Sequence, residues 1–444
     1  MSAAGAGVSL LLIGDPTMDT RVIKTTRTLQ QAGFAVTLFC LARRSEGAAE
    51  PDLGGATIRW VDAPRPLASL TRLLRGLRRA ARPAGTSGVE AEEQIVASGA
   101  VNVPSGTGAP TDPGGAQAPA KPGGRRLLAE VRALLGTLWL NLALYRAASG
   151  TRALALHAND LDTLLAGVLL KRHLRGRLVY DAHELYPEMF ASSSALYVGL
   201  WRLLEHRLIG AADGVVTVNG SIAGELRRRH RLPVAPTVVM NCPPLQPLPS
   251  DPGYGRAGEI LLLYLGRYNA ERGLLEMLRA MPLVDRRAVL CLRGGGPLQA
   301  ALEEEARLLG VKDRVRFLPP LPPDRLVGAM GGYAIGIVPY VPTSLNNYLC
   351  TPNKLFEYLM AGLAVVASDL PELRAVVAGG GLGLLYAPGD PADLARAIDA
   401  LLADPRRLAT TCAAARRAAE GCYNWEAQVV GLRQLYARFV AAPP

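Results

Sequence analysis

The stretch TPNKLFEYLMAGLAVVASDLPE, residues 351–372, decides how the chain is built. Thr351 and Pro352 read as an N-cap followed by a proline in the first helical position, where its missing N–H is no loss. The spacing predicts a helix over 353–361, stopped by Gly362, which takes a left-handed C-terminal conformation without a Cβ clash. An apolar strand at 363–367 follows at once. Lys354 and Glu357 are three residues apart, so they share a face at the helix start. On spacing alone that pair is an ordinary exposed salt bridge.

Outward from this helix–strand unit the same rhythm recurs. Strands are predicted at 260–265, 288–292, 315–318 and 334–338, with helices between them, which is the pattern of a parallel sheet. A first series precedes it: strands at 8–13, 35–41, 153–157, 178–181 and 214–218, with intervening helices. Residues 241–258, rich in Pro and Gly and without periodicity, read as a linker. The expected organisation is therefore a first α/β domain at 1–240, the linker, a second α/β domain at 259–422, and a final helical segment at 423–444 that packs back on the first domain. Residues 82–121 are Gly, Pro, Ser, Thr and Ala with almost no large apolar side chain, and read as a disordered insertion.

The 444 residues carry a net charge of +11, which favours anionic partners. Aromatic residues make up only 5% of the chain and no nucleic-acid motif is present, so nucleic acid is not the expected partner. Around the insertion lie two basic amphipathic segments: Leu70, Leu73, Leu74 and Leu77 among Arg72, Arg75, Arg78 and Arg79, then Leu127, Val131, Leu134, Leu138 and Leu142 beside Arg125, Arg126 and Arg132. Both a core helix and a helix lying on an anionic bilayer have this spacing. The apolar stretch at 133–145 is too short to span a membrane. Six scattered cysteines without paired spacing read as thiols of a reducing compartment, and the expected location is the cytoplasm, with a peripheral position on the inner membrane face as the extension of the basic flanks.

The strand at 260–265 opens into Gly266 and Arg267, and Arg272-Gly273 precedes the next helix. Two guanidiniums near a helix start at the carboxyl end of a strand suit a diphosphate. Gly294, Gly295 and Gly296, followed by Pro297, form a turn between strand and helix that allows close approach of a ligand, although it is not the spacing of a dinucleotide fingerprint. His183 follows the strand at 178–181, beside Asp181 and Glu184. Asp160-Leu161-Asp162 has the D-x-D form, but Asp162 is expected to cap the following helix and Asp160 to face an acceptor. Asp15, Arg21 and Lys24, after the first strand, and Glu184 are further acceptor-side candidates. No metal site is expected.

Several of these segments together resemble the retaining family 4 glycosyltransferases. PNKLFEYLMAG is similar to that family's donor-site motif, LGR through RG to its diphosphate loop with Arg272 in place of the usual Lys, and GGP at 295–297 to its G-x-GP turn. VYDAHELYPE at 179–188 resembles an element of a bacterial subgroup. The resemblance implies the GT-B architecture, two Rossmann-like parallel-sheet α/β domains facing each other across a cleft. It implies that Glu357 holds the ribose, that Arg267, Arg272 and Lys354 hold the diphosphate, and that His183 contacts the sugar or leaving group. Gly295, Gly296, Asn347 and Thr351 would line the donor. The family's Glu-x7-Glu pattern places its first carboxylate at Leu349, so that sugar contact falls to Asn346, Asn347 or the amides near Cys350 and Thr351.

The activity implied is transfer of a sugar from a UDP- or GDP-sugar, a co-substrate rather than a cofactor, to a glycan or lipid-linked acceptor in polysaccharide synthesis. A nucleotide-sugar epimerase and a non-catalytic binding partner on the same fold are the alternatives.

Overall fold

The computed structural model describes residues 5–42, 52–62, 124–190, 193–250 and 255–442. The expected insertion at 82–121 and the basic segment at 70–79 lie outside them. The chain divides into two compact units: Met1–Tyr180, Ser193–Asp213 and Phe439–Pro444 form unit 1, and Asp181–Ser192 with Gly214–Arg438 form unit 2. This division departs from the boundary expected near 240, because residues 181–192 and 214–240 pack with the C-terminal part of the chain.

In unit 1, β1 (Gly7–Ile13), β2 (Ala35–Leu41), β3 (Thr57–Trp60), β4 (Ala155–Asn159) and β5 (Arg177–Ala182, whose last two residues count with unit 2) are hydrogen-bonded in the order β3-β2-β1-β4-β5. The β1–β2, β1–β4 and β2–β3 pairs are parallel. Val8, Leu10, Leu11 and Leu12 are all buried, interrupted only by buried Ser9, as in a strand covered on both faces. Asp19 caps the helix Thr20–Gln31 by accepting from the amides of Arg21 and Val22.

The helix after β4 begins at Leu161, so Asp162 lies inside its first turn and does not cap it. Asp160 takes the cap position, with φ of 60° and no side-chain cap bond. Asp213 anchors the start of β5, pairing with Lys171 at 2.7 Å and Arg177 at 3.2 Å. Arg177 also donates to the Ala442 carbonyl at 3.0 Å and so holds the chain end within unit 1.

The two halves of the long helix Gly124–Ala148 differ in their surroundings. The second half is anchored through buried Asn141, which donates to the Asp162 carbonyl and accepts from the Ala166 amide, while Leu128 and Leu135 in the first half are exposed. Among the described residues no helix is long and apolar enough to cross a membrane.

In unit 2, β6 (Gly214–Thr217) and β7 (Thr237–Val238) pair in parallel. A six-stranded parallel sheet follows, made of β8 (Ile260–Arg267), β9 (Ala288–Gly295), β10 (Val315–Leu318), β11 (Tyr333–Val338), β12 (Ala364–Ser368) and β13 (Gly383–Tyr386), in the order β10-β9-β8-β11-β12-β13. The chain winds outward from β8 to β10 and then restarts on the other side with β11, so strand order reverses between β8 and β11. Ligands of such sheets bind at the carboxyl ends of the strands flanking that reversal.

The helix Asn353–Met360 is fixed over this point by Tyr358. The phenol accepts from the Leu265 amide at 2.9 Å, and its ring lies so close to Gly336 that a Cβ there would collide with it. The helix starts at Asn353 with extended Pro352 at the cap, so neither Thr351 nor Pro352 has the role expected from their order. Gly362 does take the left-handed conformation, with φ of 74°.

Candidate active site

The end of β8 is shaped by glycines. In the parallel register Gly266 lies opposite Gly294, and Arg267 opposite Gly295. A Cβ on Gly294 would strike the Gly266 carbonyl, and one on Gly296 would press on the backbone of Tyr268; both residues have φ above 150°. Backbone approach alone therefore demands two of the three glycines. Gly295 differs, because a Cβ there would meet open space. Pro297 lies two residues ahead of the helix Gln299–Leu308, outside its first turn.

Two cations converge beside this end of the strand. The Lys354 Nζ lies 3.9 Å from the centre of the Tyr264 ring and 5.5 Å from that of Tyr340, and the Arg272 guanidinium lies 4.3 Å from the Tyr340 ring. Lys354 is buried, and a Cβ on Gly266 would stand 3.1 Å from its Nζ. Burial first, and the charge of Arg272 second, push the ammonium well below the ordinary lysine value, against the pull of Glu357 and Cys350. Burial also opposes the charge on Arg272, but Tyr340, Cys350, Tyr264 and Glu184 outweigh it and hold that guanidinium above its usual value. Among the described residues no carboxylate stands within salt-bridge distance of either cation. Desolvated positive charge of this kind calls for an anion.

Arg267, the last residue of β8, is exposed, and its carbonyl accepts from the Tyr264 hydroxyl at 2.9 Å. Glu357 is half-buried one turn along the helix from Lys354. The lysine thus stands over tyrosine rings at the strand end, in place of the exposed salt bridge that its spacing to Glu357 allowed.

The short helix Leu345–Leu349 carries the residues considered as substitutes for the absent carboxylate at Leu349. The Asn346 amide is committed at both ends: Oδ1 accepts from the Leu185 amide at 3.0 Å and Nδ2 donates to Glu184 Oε2 at 2.5 Å. Asn347 donates to Thr343 Oγ1 at 2.8 Å. Thr351 Oγ1 accepts from Asn219 Nδ2 at 2.8 Å, and the same amide nitrogen donates to the Leu349 carbonyl at 2.7 Å. Glu372 accepts from the Ser221 amide at 2.7 Å. Asn219, Glu372, Tyr264 and Tyr340 all shape the site, yet none stands out in the sequence, since each resembles an ordinary strand, cap or loop residue. Only Glu372 fell inside the opening stretch, and without a role.

Glu184 is thus held by Asn346 within unit 2, and His183 Nε2 lies 3.6 Å from Oδ2 of buried Asp181. His183, Glu184, Arg267, Arg272, Gly295, Gly296, Asn347, Thr351, Lys354 and Glu357 all belong to unit 2, and Asp15, Arg21, Lys24 and Asp160 to unit 1. Asp15 is exposed and binds the Thr17 amide and hydroxyl, forming a local turn. Arg21 and Lys24, named as acceptor-side candidates, are buried on the helix Thr20–Gln31.

The chain is 30% identical over 298 residues to D-inositol 3-phosphate glycosyltransferase of Nocardia farcinica, covering 61% of this chain and 63% of that protein. It is 27% identical over 239 residues to glycogen synthase of Mycobacterium tuberculosis, covering 52% and 56%. It thus spans somewhat over half the length of these relatives. Among solved structures, sucrose-phosphate synthase from Thermosynechococcus elongatus superposes with a TM-score of 0.69 at 19% identity over 98% of this chain and 100% of that one. Anabaena HepE in complex with UDP-glucose gives 0.64 at 14%, over 98% and 99%. These likenesses show the GT-B fold. Residues 107–243 match the Glycosyltransferase Family 4 model and residues 259–404 the Glycosyl transferases group 1 model, and on these matches the chain belongs to the family 4 glycosyltransferases.

Proposed function

We propose that the protein transfers a hexose from a nucleoside-diphosphate sugar to a lipid-linked or polysaccharide-precursor acceptor, with retention of configuration, at the cytoplasmic face of a membrane. The observation that carries this reading is the pair of cations, buried Lys354 and half-buried Arg272, stacked on Tyr264 and Tyr340 at the carboxyl end of β8. UDP and UDP-glucose bound to HepE are consistent with the donor class.

In this mechanism the donor diphosphate lies against Lys354, Arg272 and Arg267, with Gly295 giving its backbone room. Glu357 accepts from the ribose hydroxyls, as an ionised carboxylate does for two adjacent donors. The bond from the anomeric carbon to the diphosphate oxygen breaks, and the cations stabilise the negative charge that gathers on the departing diphosphate. The acceptor hydroxyl attacks from the face the leaving group vacates, and its proton passes to the departing phosphate oxygen. His183, placed by its contact with Asp181, touches the sugar or leaving group.

Thermal shift with UDP-, GDP- and ADP-sugars identifies the donor, and turnover is then followed with acceptor. Arg272→Ala and Glu357→Ala are expected to lower kcat/KM by about 10- to 100-fold, the loss of one or two charged hydrogen bonds. Unchanged turnover in both variants would remove the proposed site. An epimerised sugar formed from donor alone would replace transfer with the epimerase reading.

A further inference from the structure

A nucleoside-diphosphate sugar is an anionic centre between two polyols, with ribose hydroxyls on one side of the diphosphate and sugar hydroxyls on the other. An ionised carboxylate suits both ends, since it accepts hydrogen bonds and donates none. Unit 2 sets one carboxylate near each of the two cations that lie by the Tyr340 ring. Lys354 has Glu357 one turn along its own helix and feels that charge. Arg272 feels the charge of Glu184, as do Tyr340 and Cys350.

The path of the chain brings Glu184 to this point. A Cβ on Gly273, next to Arg272, would strike the Pro339 carbonyl, and the Val341 amide donates to the Glu271 carbonyl at 3.4 Å. The segment 339–341 therefore lies against the turn that carries the arginine. It leads into the short helix Leu345–Leu349, where Asn346 holds Glu184 Oε2 at 2.5 Å and the Leu185 amide at 3.0 Å. Glu184 is half-buried, and its Oε1 has no hydrogen-bond partner among the described residues. The neighbouring polar side chains are already engaged: Asn347 Nδ2 donates to Thr343, and Thr351 Oγ1 accepts from Asn219. Leu349 has no polar atom to offer.

We infer that Glu184 binds the sugar of the donor, Oε1 accepting from one of its hydroxyls while Oε2 stays on Asn346. This moves Glu184 from the acceptor side to the donor side, and it rests on the nucleotide-sugar reading of the site. Asn346 is then a positioning residue, which fixes the carboxylate before the donor arrives. Glu184 also becomes a determinant of which sugar is transferred, because a site built to pair with a hydroxyl disfavours an analogue that lacks it.

The test is calorimetric binding of UDP, GDP and ADP to the full chain, each beside a hexose conjugate: UDP-glucose, GDP-mannose and ADP-glucose. The pair that the wild type binds most tightly is carried to the variants. Glu184→Gln keeps an acceptor for Asn346 and removes the charge. It is expected to bind the nucleoside diphosphate as tightly as wild type or more so, because a negative charge near Arg272 is gone. The hexose conjugate is expected to bind about 10- to 100-fold more weakly, the loss of one hydrogen bond to a charged group. Conjugates with each hydroxyl in turn replaced by fluorine locate the contact: one of them binds wild type more weakly and loses nothing further in Glu184→Gln. A carboxylate that served only to anchor Asn346 would leave Glu184→Gln at wild-type affinity for both ligands. Glu184→Ala would then lower the melting temperature and both affinities together, and either result would overturn the inference. Equal losses for the nucleoside diphosphate and its conjugate in Glu184→Gln would overturn it too, and would leave the nucleotide site standing. Failure of every nucleoside diphosphate to bind wild type would remove the proposed function and this assignment with it.

Discussion

The Lys354 ammonium stands 3.9 Å above the Tyr264 ring, on the same helix as Glu357 and beside Gly266, the residue before the end of β8. Its burial and the neighbouring Arg272 depress its proton affinity, and an arriving diphosphate is expected to raise it again by supplying an ion pair. Nucleotide affinity is expected to fall as pH rises through that depressed titration, below the ordinary lysine value of about 10.4. Calorimetry in buffers of different ionisation enthalpy would show proton uptake on binding. Lys354→Met removes the uptake and weakens binding by about 10- to 100-fold.

The same residue makes a stability prediction of opposite sign. Between the depressed value and about 10.4 the unfolded chain holds a proton on Lys354 that the folded chain lacks, so this contribution to stability grows as pH rises across that window. Lys354→Met, which places an apolar chain of similar length in the same pocket, is expected to leave the melting temperature unchanged or raise it. A variant that melted lower and still bound nucleotide normally would show that the charge is structural.

Adjacent glycines separate backbone from ligand requirements. Gly294→Ala drives a Cβ into the Gly266 carbonyl at a φ of 151° and is expected to destabilise unit 2 by about 2 kcal/mol or more, read by denaturant unfolding. Gly295→Ala projects into open space and should melt normally while lowering donor affinity. Similar melting for the two variants would contradict the register argument.

The fully buried Asn219 caps the helix Gly220–His230 and also binds Leu349 and Thr351. Asn219→Ala is expected to cost about 1–3 kcal/mol through the lost cap and unsatisfied partners. Because it releases the segment leading into the donor helix, it should also raise the donor KM, measured at a temperature where the variant is fully folded.

Tyr358→Phe keeps the ring against Gly336 but strands the Leu265 amide without its 2.9 Å acceptor. A loss of about 1–3 kcal/mol is expected in chemical unfolding, the penalty for a buried unsatisfied donor. No change would mean that the ring alone holds this helix to the sheet.

How much was legible follows from the range of each interaction. The strands of the second sheet announce themselves because a strand covered on both faces must be apolar along its length, and 260–265, 288–292 and 363–367 all fall within observed strands or start one residue early. Gly362 was legible because helix termination is a local backbone matter. β13 was not singled out, being four residues long among glycines, and neither was the division of the chain after Tyr180, which depends on what residues 181–192 and 214–240 pack against.

The amino-acid sequence by itself determined the parallel α/β architecture, the family, and the candidacy of Lys354, Arg272 and Glu357, because periodicity, turn chemistry and motif spacing are properties of neighbouring residues. Only the tertiary structure decided that Lys354 is a buried cation over Tyr264, that Asn346 is already committed to Glu184 and Leu185, and that two of three successive glycines serve the strands. Burial, electrostatic neighbours and backbone approach join residues far apart in the chain, up to about 160 positions for the bonds of Asn346, and only folding brings them together.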